Sequence, residues 1–272
     1  SKIEQHPMPN EGINADHIFI EKVSAQNNES IRYQIHKESL ILEAQNPNGP
    51  KHNYSLFLNM YTLRLDGTNR LNLLRDQTAG DLLKTPINHL AQLFSDNYLR
   101  KELSRIIFEA FGKYFVIDPT NIGTLRVRLS DTEPTTEREE KGWETESVNF
   151  HKKGLSISET SDGVRAFTGI LTTLLAGDPK ITLIDEPEAF LHPALSTKLG
   201  KEIGKFLGSL KKRLFVATHS SSFLMGCVQS GAPLNIVRLT YKNGVATSRI
   251  LPKDKILELM RHPLLRSTGV LN

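Results

Sequence analysis

The sequence is poor in cysteine and in long apolar runs, and each shortage excludes a class of protein. Cys227 is the only cysteine, so no disulfide forms within the chain, which fits a reducing compartment. No stretch approaches the roughly 18–20 consecutive apolar residues of a membrane-spanning helix, so we expect no membrane partner. The first ten residues are polar, contain Pro7 and Pro9, and do not resemble a signal peptide. We therefore expect a cytoplasmic protein.

The composition is that of an ordinary globular protein. The chain has 272 residues, of which 38% are hydrophobic and 24% charged. This length fits one large α/β domain, or one domain with an inserted lobe. The net charge of +4 is a mild excess spread along the chain, so it permits DNA binding but is more typical of a solvated surface. The densest basic run, Lys211 to Arg213, is typical of a helix end.

Residues 1–130 predict a strand-rich and helical lobe. The span Asn88 to Phe111 has apolar residues at helical spacing and predicts one helix or two in succession, ended by Gly112. The dipeptide Asp66-Gly67 predicts a turn. Short strands are predicted at 18–20, 31–35, 40–42, 56–65, 71–74, 115–117 and 125–129.

An acidic, threonine-rich stretch follows, from Ser130 to Ser147. It carries almost no apolar side chain, so it cannot bury enough surface to fold by itself. We expect a mobile acidic loop at residues 131–150.

Residues 151–252 alternate between helical and apolar strand patterns. Helices are predicted at 164–175, 194–210 and 221–228, and a closing hairpin at 235–240 and 246–251 turns at Asn243-Gly244. The runs Ile181 to Ile184 and Leu214 to Ala217 suit strands that are buried on both faces. This rhythm predicts a mostly parallel sheet flanked by helices. Residues 253–272 are expected to form a C-terminal helix or linker.

The strongest chemical signal is ITLIDEPEAFLHP, from Ile181 to Pro193. A predicted strand delivers Asp185 and Glu186 to its carboxyl end, the edge at which open α/β sheets bind ligands. Adjacent strand residues point in opposite directions, so one carboxylate can hold Mg²⁺ while the other polarises a water molecule that attacks a γ-phosphate. An acidic surface turn is the alternative, but it does not explain four apolar residues leading directly into two acids.

A second strand end carries His219, within the run Thr218-His219-Ser220. A histidine at this edge can hydrogen-bond a γ-phosphate, although a histidine after a strand is more often structural. His219 lies 34 positions after Asp185, which suits one strand–helix–strand crossover and places both strand ends in one sheet.

The run Ser161-Asp162-Gly163 opens the helix predicted from Val164. Backbone N–H groups at a helix start can bind an anion. Taken alone, however, a serine or aspartate at this position is usually an N-cap.

These three motifs, in this order, resemble the carboxy-terminal part of an ABC-type ATPase head of the SMC, RecF and OLD (overcoming lysogenisation defect) branch. Ser161-Asp162-Gly163 is similar to the signature motif, Ile181 to Glu186 to the Walker B strand with its glutamate, and Thr218-His219-Ser220 to the switch-histidine loop. Leu191-His192-Pro193 falls where the D-loop of the family lies. The segments YTLRLDG and FGKYFVIDP resemble the inserted lobe of OLD-type ATPases, and HPLLRSTGVLN resembles their linker to a Toprim nuclease domain.

The resemblance implies a P-loop NTPase-like fold, ATP and Mg²⁺ as ligands, and hydrolysis between two heads of a homodimer or higher oligomer. Asp185 would help to hold Mg²⁺, directly or through water. Glu186 would position or activate the attacking water, and His219 would contact the γ-phosphate. Ser161 and Gly163 would reach ATP bound on the partner subunit. The resemblance also implies an attached or partner Toprim-type nuclease, contact with DNA, and a role in DNA metabolism or anti-phage defence.

The sequence departs from the family in one respect, since it contains no G-x-x-x-x-G-K-[ST] phosphate loop. The nearest string, Asn46 to His52, has Pro50 in place of the second glycine and His52 in place of the Ser or Thr, and we interpret it as a turn. We expect the loop in an upstream segment, and no nuclease active site within this chain. The alternatives are an ATPase-derived dimerisation scaffold without turnover and a DNA-binding protein without ATP dependence.

Overall fold

The computed structural model describes residues 17–23, 30–46, 48–49, 52–53, 55, 62–67, 69–177, 179–209 and 212–251. The expected C-terminal helix or linker at 253–272 and the first six residues of the strand predicted at 56–65 lie outside these ranges. The string at 46–52 is described only in part.

Strands in the described residues form four sheets. Their bounds are β1 His17–Val23, β2 Ser30–His36, β3 Thr62–Leu65, β4 Gln77–Thr78, β5 Tyr114–Asn121, β6 Thr124–Ser130, β7 Leu155–Ser156, β8 Ile181–Asp185, β9 Arg213–Ala217, β10 Ile236–Lys242 and β11 Val245–Leu251. The pairs β1–β2 and β10–β11 are antiparallel hairpins, and β4, β6 and β5 form an antiparallel sheet that β7 joins through β6.

The described residues also form eight helices and two 3₁₀ turns. Their bounds are α1 Lys37–Gln45, α2 His89–Ser95, α3 Asn97–Phe111, α4 Glu137–Lys141, α5 Thr145–Lys153, α6 Asp162–Ala176, α7 Pro193–Ser209 and α8 Ser221–Gln229, with 3₁₀ turns at Asn69–Asn72 and Ile157–Glu159. None of these helices combines the length and the apolar content that crossing a membrane would require.

The central sheet is parallel, with the strand order β3-β8-β9. Together with its flanking helices, it confirms the predicted α/β fold class with a parallel sheet. Asp185 at the end of β8 is in register with Ala217 at the end of β9. The residues that follow these two strands therefore leave the sheet side by side.

Helix α6 is the centre of the apolar core. Its side chains are buried without interruption from Ala166 to Leu175, as expected for a helix that is surrounded by other elements. It packs against α2, α3, α7 and the 3₁₀ turn at Asn69–Asn72. The core thus surrounds α6, and Ile184 of β8, the residue directly before Asp185, belongs to it.

The helical span that begins at Asn88 is two helices because Asp96 interrupts it. Asp96 ends α2 in an extended conformation, and its side chain accepts a hydrogen bond from the Leu99 N–H at 3.0 Å to start α3. Gly112 ends α3 with a left-handed φ of 66°, as the sequence predicts.

Two predicted strands are wrong. Residues 40–42 lie within α1, where Ile41 and Leu42 are exposed, because a short apolar run does not by itself distinguish a strand from a helix. Residues 71–74 continue a 3₁₀ turn instead, because the Asp66 side chain accepts a hydrogen bond from the Asn69 N–H at 3.0 Å and turns the chain there.

The prediction that β8 and β9 are buried on both faces is also wrong. Thr182 and Ile184 are buried, whereas Leu183 on the opposite face is 38% exposed and Phe215 beside it is 57% exposed. An apolar run is compatible with two-sided burial, but it does not show whether a second layer covers the sheet.

The expected mobile loop at 131–150 forms two helices, α4 and α5, so the prediction of an unstructured stretch is wrong. Glu140 of α4 is buried and accepts hydrogen bonds from buried Arg100 of α3, from Nε at 2.8 Å and from Nη2 at 3.0 Å. His151 Nε2 of α5 lies 2.8 Å from the Glu140 carbonyl oxygen. A buried ion pair replaces the apolar contacts that the segment lacks.

Lys212, from the basic run that predicts a helix end, contacts the carboxyl end of α6, whereas α7 is the helix that precedes it in the chain. Its Nζ donates to the carbonyl oxygens of Leu174 at 3.1 Å and Gly177 at 2.6 Å, where α6 ends. Its charge there favours the negative end of the dipole of α6.

Candidate active site at the carboxyl edge of the parallel sheet

Glu186 is the first residue beyond β8, and its backbone is unusual. Its φ is 50°, a left-handed conformation that non-glycine residues rarely adopt. The conformation is held because its N–H donates to the Ala217 carbonyl oxygen at 2.8 Å, and its own carbonyl accepts from the Ala189 N–H at 2.9 Å. Residues held in this way cluster at functional sites.

The side chain of Arg70 also holds the backbone turn at Asp185 and Glu186. Its side chain is 1% exposed, and its guanidinium donates to the carbonyl oxygens of Asp185, at 2.6 Å, and of Glu186. Its Nε donates to the Asp66 carbonyl oxygen at 3.1 Å. Burial lowers the pKa of Arg70, and the nearby carboxylates, Asp185 foremost, oppose this shift. Arg70 thus joins the chain before α2 to the acidic strand end.

Glu186 and His219 form an ion pair at this edge. His219 Nδ1 contacts Glu186 Oε2, although the His219 side chain is 81% exposed. The hydrogen bond to Glu186 raises the pKa of His219. The pKa of Glu186 is also raised, because burial and the adjacent carboxylate of Glu188 outweigh the opposite effect of His219.

Glu188 lies next to this ion pair, and it is only 8% exposed. Its Oε1 accepts a hydrogen bond from the Thr218 hydroxyl at 2.6 Å and lies 3.8 Å from His219 Nδ1. Donor atoms of Glu186, Glu188 and His219 lie within 4.8 Å of one another, a spacing at which a divalent cation could bridge them. Such a cation would compete with the existing contact between Glu186 and His219.

Asp185 directly precedes Glu186 at the end of β8, whereas Ser161 and Gly163 lie at the start of α6. Asp185 is exposed at the end of β8. Ser161 is exposed, and its Oγ accepts from the Val164 N–H at 3.4 Å as an N-cap. A Cβ at Gly163 would lie 2.6 Å from the Phe190 carbonyl oxygen, so the segment after β8 itself requires a glycine here.

The sequence analysis missed Arg70 and Glu188. Glu188 had a signal, because it stands in the string Asp185-Glu186-Pro187-Glu188, two residues beyond the expected catalytic residue Glu186. Arg70 had none, since nothing near it in the sequence indicates that it reaches carbonyl oxygens more than a hundred positions away.

A protein-family model described as "AAA domain, putative AbiEii toxin, Type IV TA system" matches residues 72–225, more than half of the chain. The chain belongs to this family. The match spans α6, β8 and the loop after β9, so it includes every site residue that the sequence singled out. The prediction of an ATPase head is confirmed at the level of an AAA-type ATPase domain. A comparison with curated proteins finds no match.

Solved structures similar to this chain include head domains of SMC ATPases. The SMC head bound to the C-terminal winged-helix domain of ScpA is 13% identical over 90% of this chain and 71% of its own, with a TM-score of 0.48. The Thermotoga maritima SMC head is 12% identical over 88% and 75%, with a TM-score of 0.42. The Pyrococcus furiosus head with an extended coiled coil is 14% identical over 61% of this chain and 37% of its own, with a TM-score of 0.43.

Proposed function

We propose that this domain hydrolyses ATP, with Glu186 positioning and activating the attacking water and His219 contacting the γ-phosphate. The observation that carries the proposal is the ion pair between Glu186 and His219 at the carboxyl ends of two adjacent parallel strands. Ligands bind at this edge in open α/β sheets, and the chain belongs to an AAA-domain family.

The environment of the pair suits these two roles. A carboxylate with a raised pKa is a stronger general base than an ordinary glutamate, so Glu186 can draw a proton from water more effectively. The raised pKa of His219 keeps its imidazole charged to higher pH, and a cation stabilises the negative charge of a transferring phosphoryl group. Arg70 would keep the Glu186 backbone in place throughout the reaction.

The exposed carboxylate of Asp185 supplies the hard oxygen ligands that Mg²⁺ prefers, so the chain fits this ion at the end of β8. Mg²⁺ held there would neutralise charge on the phosphate oxygens of ATP. Asp185 itself would orient the nucleotide relative to Glu186.

We further propose that two heads face each other, so that Ser161 and Gly163 reach the nucleotide bound to the partner subunit. Both residues lie at the amino-terminal end of α6, where the helix dipole and free N–H groups favour a phosphate. By analogy with OLD-type proteins, this cycle would regulate an attached or partner nuclease that acts on DNA, in DNA metabolism or in defence against phage.

The proposal is tested by the substitution Glu186→Gln. We expect ATP to bind as in the parent, because glutamine keeps the size of the side chain, whereas turnover falls by about 10²–10⁴-fold because the base is lost. Phosphate release and nucleotide binding are measured on this chain and on any longer product of the same reading frame. The matched control is Glu146→Gln, at an exposed glutamate in the first turn of α5.

Two outcomes would contradict the proposal. Parental turnover in the Glu186→Gln protein would show that Glu186 is not the base. No turnover in any parental product, together with a dimer that forms regardless of nucleotide, would favour the scaffold hypothesis instead.

A further inference from the structure

Glu188 is a buried acid to which the proposed hydrolysis assigns no role. Its side chain is 8% exposed, and within the described residues its Oε2 makes no hydrogen bond. Burying a carboxylate in this way costs free energy unless its remaining contacts compensate. A hydrogen bond to its carboxylate is one reason for a glutamate at this position in place of an apolar side chain of the same size.

That contact is the 2.6 Å hydrogen bond from the Thr218 hydroxyl to Glu188 Oε1. Thr218 Oγ1 in turn accepts from the Ser220 N–H at 3.0 Å, and Ser220 Oγ accepts from the Phe223 N–H at 3.2 Å as the N-cap of α8. One hydrogen-bonded chain therefore runs from Glu188 through the switch loop, residues 218–220, into the first turn of α8.

The side chains of Thr218 and Ser220 take part in this series of hydrogen bonds, whereas the His219 side chain does not. It is 81% exposed, and yet its Nδ1 meets Glu186 Oε2. Thr218 and Ser220, on either side of it, are both tied into the chain that begins at Glu188. The backbone of residue 219 is thereby fixed, and the imidazole is directed towards Glu186.

We propose that Glu188 is a positioning residue, which holds the switch loop through Thr218 so that His219 stands against Glu186. The loop-holding part depends on geometry alone. Its consequence for turnover rests on the proposed ATP hydrolysis. Glu188 is not expected to touch the nucleotide.

The test uses four variants of the whole chain in two matched pairs. Thr218→Val and Glu188→Met each remove one member of the hydrogen bond while keeping the size of the side chain. Thr218→Ser and Glu188→Gln keep the hydroxyl and the acceptor oxygen. Amide hydrogen exchange, resolved by NMR, is measured at Ser220, and the Glu186 amide, which pairs with Ala217, reports whether the sheet is intact.

We expect exchange at Ser220 to accelerate about tenfold in Thr218→Val and Glu188→Met, and to stay near the parental rate in the conservative pair. Exchange at Glu186 should be unchanged in all four. In protein that turns over ATP, kcat should fall about tenfold in the disruptive pair with KM within about twofold, because misplacement of His219 affects the reaction rather than binding.

Each other result is decisive. Unchanged protection of Ser220 in Glu188→Met would overturn the loop-holding part. Lost protection with parental kcat would overturn the role in turnover. Absence of turnover in every parental product, this chain and any longer product of the same reading frame, combined with lost protection at Ser220 in Glu188→Met, would reject the proposed hydrolysis while confirming that Glu188 holds the loop.

Discussion

Glu186 combines an uncommon backbone conformation with a side chain that is about two-thirds covered. Its φ is 50°, and its carboxylate contacts the His219 imidazole. Three groups stabilise this geometry from outside the turn: the Ala217 carbonyl, the Arg70 guanidinium and the His219 imidazole. These contacts hold Glu186 in a backbone conformation that it would rarely adopt alone, as is common at functional sites.

The pKa of His219 gives a direct test of this geometry. The hydrogen bond to Glu186 raises it, so Glu186→Gln should lower the pKa of His219 towards the ordinary histidine value. A histidine with a raised pKa contributes stability below its ordinary pKa, and this contribution is lost as the pH rises through the raised value.

The measurement is an NMR titration of the imidazole signal that disappears in His219→Gln. Glu146→Gln, at an exposed position in the first turn of α5, should leave the titration unchanged. Identical midpoints in the parent and in Glu186→Gln would show that the two side chains do not interact in solution.

At the scale of elements, the acidic segment of α4 and α5 shows how a nearly apolar-free sequence becomes ordered. Arg100 donates to both carboxylate oxygens of Glu140 and to the carbonyl oxygens of Leu93 and Phe94, at 3.0 and 3.2 Å. One buried arginine thus joins α2, α3 and α4. Because a buried charge without its partner is costly, this ion pair ties the order of α4 to the presence of both groups.

We expect Glu140→Ala to lower the free energy of unfolding by about 3 kcal/mol, because it leaves the guanidinium of Arg100 buried without its counter-ion. The double variant Arg100→Met/Glu140→Met should lose much less, since it removes both charges. Denaturant unfolding measures both, and Glu146→Ala at an exposed position should change stability by less than about 0.5 kcal/mol. If Glu140→Ala resembles that control, the ion pair does not anchor α4.

At the scale of the whole molecule, the proposed cycle depends on two heads meeting through the start of α6. Ser161 is exposed there and serves as the N-cap. Ser161→Asp keeps a good N-cap residue but adds a negative charge where phosphates would approach. The fold of one head should therefore survive a change that blocks the pairing of two.

We expect Glu186→Gln protein to sediment as a dimer with ATP and as a monomer without it, because the nucleotide completes the interface and is not hydrolysed. Adding Ser161→Asp should abolish the dimer, whereas the control Ser158→Asp, three residues earlier, should not. A dimer that persists in Ser161→Asp would place the interface elsewhere.

How much of this fold could be predicted depends on how local each signal is. The parallel strands β8 and β9, the helix α6 and the hairpin turn at Asn243-Gly244 follow from apolar periodicity and turn residues within about ten positions. The wrong predictions concern features that depend on contacts between distant parts of the chain. The acidic run at 131–150 is ordered by Arg100, some forty positions away, and the apolar runs of β8 and β9 did not reveal that one face is exposed.

The sequence by itself determined which polar side chains reach the sheet edge, because Asp185, Glu186 and His219 each stand one or two positions beyond an apolar run that predicts a strand. Only the tertiary structure decided what surrounds them: the hydrogen bond from the Thr218 hydroxyl to Glu188, the hydrogen bonds from Arg70 to the carbonyl oxygens of Asp185 and Glu186, and the close approach of Gly163 to Phe190. The physical reason is that strand ends are set by local hydrophobic pattern, whereas buried polar contacts join positions whose separation in sequence carries no periodic signal.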